Sequence, residues 1–240
     1  MMKCVFPNQT APNQPAGIQP LQIDFAHHLP DVPVQPKTLL LIDLEIKESS
    51  VDLRVVSQLV LNDLGATVQI LRLAAREYGN AEGCPTRIED CISDLGLNAC
   101  MEAVSVRAAA RDFRHQALAE TWEHSREIAQ YSKLIAEDTP EINPEEAYLV
   151  GLFHGIGWLP SVLGWDVSEA GATNSSLIGF KLAIKWSLPR FVLEYFRETQ
   201  RASCQTLWTE IVQKAHWRAN RPISQCADPS DIRPQILHLV

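Results

Sequence analysis

The sequence lacks the short signatures that usually announce catalysis or cofactor binding. It has no nucleophile elbow, P-loop or dinucleotide fingerprint, and Gly151, Gly155 and Gly157 follow no strand, so they read as helix-packing and helix-ending glycines. The six cysteines, at 4, 84, 91, 100, 204 and 226, form no CxxC pair and no zinc-ribbon spacing, which points to reduced thiols. No apolar run approaches the roughly 20 residues needed to cross a bilayer, and the N-terminus carries Lys3 without an apolar signal region. The expected location is therefore the cytoplasm, with no membrane partner. Positive charge is in deficit, 21 basic against 29 acidic residues for a net charge of -8, which argues against broad binding to nucleic acid. Credible strands and internal repeats are missing as well.

What is present is a helix-forming chain of 240 residues, 46% apolar, long enough to bury a substantial core. Residues 1–28, with Pro7, Pro12, Pro15 and Pro20 among Asn and Gln, read as a disordered or loosely attached leader. After Leu29-Pro30-Asp31-Val32-Pro33, helices are expected over Lys37 to Lys47, then behind Ser50 as cap and behind Asp63 as cap, the last ending near Gly79. Thr86-Arg87-Ile88-Glu89 has the spacing of a capping box, Gly96 suits a helix end, and Leu97 to Ala110 resumes as helix.

The longest helical pattern runs from Asp112 to Asp138 and sets His124, Ile128, Tyr131 and Ile135 on one face, so His124 points inward. Asn143 and Pro144 open a helix in which nearly every residue from Ala147 to Phe153 is apolar, which places it inside the molecule with His154 on its small-residue stripe. Ser175 to Trp186, Pro189 to Glu198 and a last helix capped by Ser203 complete the expected set, before an irregular tail over 221–240.

Six stretches, in order, resemble motifs of the HDOD family, the bacterial "HD-related output domain", a divergent relative of HD-type metal phosphohydrolases. They are Leu29 to Pro33, Asn62-Asp63 to Tyr78-Gly79, Ile88 to Gly96, His124-Ser125, Ala147 to Gly157, and Trp186-Ser187-Leu188-Pro189. The resemblance implies an all-α, two-lobed domain with a degenerate HD-type helical bundle, the N-terminal lobe at 29–111 and the HD-like lobe at 112–220. In HD enzymes it would assign metal ligation to a first His, an adjacent His-Asp pair and a later Asp. Here His124 and His154 match the histidines, but Gly155 stands where the Asp belongs. A hard cation hydrolysing a phosphoester wants carboxylate oxygens, and glycine has none.

Two readings of His124 and His154 stand side by side: a residual metal or phosphate site, or a pair of hydrogen-bonded core imidazoles. The second is favoured, because two His ligands are an incomplete set, and no metal or other cofactor is expected. Asp112, Asp166 and Glu194 are the carboxylates that could complete the first. Lys181, Lys185, Arg190, Arg197 and Arg201 make a basic stretch that could hold an anion or an acidic partner, against a plain solvated face interleaved with Glu194 and Glu198. Trp158 and Trp165, beside Pro160 and Gly164, are the candidate interaction anchors. The resulting expectation is a non-catalytic regulatory module acting on a protein partner. A divergent metal-dependent phosphohydrolase and a nucleotide second-messenger sensor are the alternatives.

Overall fold

The computed structural model describes residues 31–79, 85–105, 115–165, 174–201 and 206–219; the expected leader and tail lie outside them. The described residues contain no β-strand and form α1 (Pro36–Ile46), α2 (Leu53–Leu61), α3 (Leu64–Tyr78), α4 (Ile88–Leu95), α5 (Leu97–Ser105), α6 (His115–Glu137), α7 (Pro144–Phe153), a 3-10 turn (Ile156–Trp158), α8 (Leu159–Leu163), α9 (Ser175–Lys185), α10 (Arg190–Thr199) and α11 (Leu207–Arg218). No helix among them is long and apolar enough to cross a membrane.

Local chemistry sets the boundaries. Asp63 caps α3, its Oδ1 accepting from Ala66 N–H at 3.1 Å, while Oδ2 accepts from Gln35 N–H at 2.7 Å and so ties the segment before α1 to the start of α3. The Pro33 carbonyl lies against Gly65, where an added Cβ would stand 2.4 Å from that oxygen. The Asp31-Val32-Pro33 segment thus leads onto the N-terminal end of α3. Gly79 ends α3 at φ 69°, and Gly96 turns the chain between α4 and α5 at φ 84°, conformations that disfavour a Cβ.

Three caps differ from expectation. Asp52, not Ser50, caps α2, because it immediately precedes Leu53 and its carboxylate reaches Arg54 N–H at 2.9 Å. Thr86 forms no capping box, since α4 begins at Ile88 and puts Arg87 at the cap with no side-chain bond. The last helix is capped by Thr206, paired reciprocally with Thr209; Ser203 lies outside the described residues. Pro189 also sits at the cap of α10 rather than inside its first turn.

Helices α1 to α5 pack on one another, and so do α6 to α11 with the 3-10 turn. Asp31 links the sets, its carboxylate 3.3 Å from Arg72 on α3 and 3.6 Å from Lys185 on α9. Within the second set α6, α7 and α11 meet pairwise. The α6–α7 crossing is close because Gly151 has no side chain: a Cβ there would be 2.7 Å from both Ala129 Cα and Ser132 Oγ. Every residue of α7 from Ala147 to Phe153 is buried, as its unbroken apolar run requires.

Two substitutions test this packing. Gly151→Ala is expected to destabilise by about 1–3 kcal/mol through overpacking, whereas Gly155→Ala, whose Cβ meets only Ser125 Oγ at 3.8 Å, is expected to be near neutral by chemical denaturation. Asp63→Ala is expected to cost about 2–4 kcal/mol by removing a cap and leaving buried N–H donors without an acceptor, with Asp63→Asn milder in the same measurement.

Candidate functional site

Three histidines converge where α6, α7 and α11 meet. His124 comes from the middle of α6, His154 from the C-terminal end of α7 and His216 from the last turn of α11. One ring nitrogen from each lies within 4.8 Å of the others. Ring centroids are 5.5 Å apart for His124 and His154, 5.2 Å for His124 and His216, and 4.9 Å for His154 and His216. His154 meets both neighbours edge to face, at 77° and 79°. Exposure falls to 8%, 9% and 3% for His124, His154 and His216, so little solvent reaches the cluster.

His216 was not singled out in the sequence. The signal was there: Ile211, Val212 and Ala215 form the buried stripe of α11, and His216 follows Val212 by four residues on the same face. The Thr206–Thr209 box fixes where α11 begins, and therefore which face carries His216 inward.

Hydrogen bonding defines part of the protonation pattern. His154 Nδ1 lies 2.6 Å from the Gly151 carbonyl, and since a carbonyl oxygen only accepts, Nδ1 carries the proton and Nε2 keeps its lone pair. His154 Nε2 and His216 Nδ1 are buried without a hydrogen-bond partner. Burial, then the neighbouring His216, holds His154 well below the usual imidazole range. Burial, then His124, pushes His216 down to about 4. Both rings are consequently neutral near physiological pH.

The described residues of the cluster do not suit a hard HD-type cation. Among the described residues the convergent donor group consists of imidazoles alone. Gly155 follows His154 and contributes no ligand; it borders a gap too narrow for water, lined also by Leu64, Leu118, Trp122 and Leu159. Glu194 is taken up by Arg190 at 2.7 Å. Asp112 and Asp166 lie outside the described residues.

The other candidates are scattered. Lys181 is buried, Lys185 turns to Asp31, Arg190 pairs with Glu194, and Arg197 stands over the Phe180 ring at 5.2 Å, leaving Arg201 on the surface. With Lys181 and Lys185 turned inward, the five cations do not line one exposed face. Trp158 and Trp165 are half-buried, Trp165 packing against the core, whereas Trp217 is 71% exposed. Between α2, α4, α6 and α7 a cleft of about 300 Å³ is lined by Gln58, Arg87, Gln130, Lys133, Glu145 and Tyr148 among others. Its cations are engaged locally, Lys133 with Glu145 at 2.7 Å and Arg87 with Glu89 at 3.3 Å.

The sequence has no match among curated proteins. In fold it is similar to the MmoQ response regulator from Methylococcus capsulatus str. Bath, at TM-score 0.64 and 20% identity over 84% of this chain and 90% of that one. A second structure of that regulator gives TM-score 0.62 and 21% identity, covering 83% and 87%. An HDOD domain protein with unknown function from Geobacter sulfurreducens shares 22% identity over 90% of this chain and 84% of its own, at TM-score 0.35. Residues 32–164, more than half of the chain and inclusive of His124, His154 and Gly155, match the HDOD domain. The chain belongs to the HDOD domain family.

Proposed function

We propose that the chain is a non-catalytic regulatory module of bacterial signal transduction, working in the cytoplasm by binding another protein. The donor set between α6, α7 and α11 carries this reading: three imidazoles beside Gly155, with no carboxylate in the cluster among the described residues. Phosphoester hydrolysis of the HD kind needs anionic oxygens to hold a hard cation and to activate a water, and neutral imidazoles supply neither. Membership of the HDOD family and a fold shared with a protein named a response regulator support the regulatory role. Trp217 is the better candidate anchor for a partner, since exposed tryptophan at an interface core contributes heavily to affinity and Trp158 and Trp165 are half-buried.

The phosphohydrolase alternative requires ligands from outside the cluster. The nucleotide-sensor alternative would use the cleft beside Arg87 and Lys133, where Glu89 and Glu145 compete with a phosphate for the same cations.

Assays of the full chain with bis(p-nitrophenyl) phosphate and with cyclic and linear nucleotides, across magnesium, manganese and iron, are expected to show no turnover. The same holds for Gly155→Asp, because one carboxylate does not rebuild the set; metal-dependent turnover by the unaltered chain would overturn the non-catalytic reading. A photo-crosslinking side chain placed at position 217 is expected to capture a discrete protein in the native host, and the same probe at the exposed Leu40 is expected to miss it.

A further inference from the structure

We propose that His124, His154 and His216 form a three-imidazole site for a borderline divalent transition ion such as zinc, cobalt(II) or nickel, which fastens α11 to the α6–α7 pair. The site does not depend on the regulatory reading, because ion binding and partner binding are measured separately.

Three observations carry it. Nitrogen atoms from three different helices already approach within 4.8 Å, so modest rotamer changes bring them to the spacing of tetrahedral ligands. His154 presents Nε2 with a lone pair while its Nδ1–H is held by the Gly151 carbonyl, the backbone hydrogen bond that typically orients a metal-binding imidazole. His154 Nε2 and His216 Nδ1 are buried and lack any hydrogen-bond partner. Buried polar atoms are nearly always satisfied, and two orphaned acceptors or donors in one contact group leave room for a common partner.

The donor set selects the ion. Imidazole nitrogen suits zinc, nickel, copper and cobalt, whereas magnesium, calcium and manganese favour oxygen. Two of the three ligands occupy the positions that correspond to HD-enzyme histidines, but the third comes from α11, beyond the residues matched to the family. The expectation of no bound metal counted only two histidines; His216 adds a third.

The test uses the full chain, stripped with a chelator and dialysed. Titration with zinc, followed by calorimetry and by competition with a chromogenic chelator, is expected to show about one ion per chain and a rise in thermal midpoint. Cobalt(II) is expected to give the visible ligand-field spectrum of a nitrogen-rich four-coordinate site, without a thiolate charge-transfer band. Hydrogen exchange in α11 is expected to slow on loading. His154→Gln and His216→Gln are each expected to abolish the midpoint shift, while Trp217→Ala, on the same helix but outside the cluster, keeps it. Circular dichroism of the unloaded variants checks that they fold. The proposal fails if folded wild-type protein binds none of the three ions, if the Gln variants bind as well as the wild type, or if a thiolate band places the ion on cysteine.

Discussion

The approach of α6 to α7 at Gly151 is the constraint on which the centre of the molecule depends. With a Cβ at 2.7 Å from Ala129 Cα, any larger residue would separate the two backbones, and the distance between His124 and His154 is set by that separation. The same residue also fixes chemistry, because the Gly151 carbonyl accepts from His154 Nδ1 and thereby selects the tautomer that leaves Nε2 with its lone pair. Close packing and ligand orientation are thus one feature. The all-apolar character of α7 follows, since a helix covered on every side by α6, α10 and α11 has no face for water.

Gly151 and Gly155 are four residues apart and answer to different demands. A Cβ at Gly151 collides with backbone; at Gly155 it would find only a hydroxyl oxygen at 3.8 Å. Packing therefore does not require glycine at 155, and a carboxylate could be accommodated at its root. Its absence bears on the chemistry of the pocket rather than on the fold. Glycine beside His154 offers no hard donor and His216 adds an imidazole from α11, so the convergent donors among the described residues are nitrogen alone.

Much of this was legible in the sequence for identifiable reasons. The helices announced themselves through apolar periodicity, Asn143 and Asp63 through their caps, and the burial of α7 through its composition. Asp52 and Thr206 were missed because an Asp or Ser within two or three residues of a helix start is an equally good sequence candidate, and only the first helical residue decides between them. The basic stretch misled for a related reason: four-residue spacing puts Lys181 and Lys185 on one face, but the sequence does not say that the face is inward, toward Asp31 in the case of Lys185. His216 was hidden by distance along the chain. Its stripe was readable, yet its meeting with His124 and His154 is a tertiary fact, created by α11 folding back across α6 and α7.

Charge sets the remaining condition on the cluster. Imidazole ligands bring no negative charge to compensate a dication, and a buried net charge carries a large solvation cost. The fourth coordination position must therefore be reached by an anion or by water able to release a proton. The cluster is nearly closed to solvent, with His124, His154 and His216 at 8%, 9% and 3% exposure and the gap beside Gly155 too narrow for water. Reaching that position therefore requires side chains around the cluster to move.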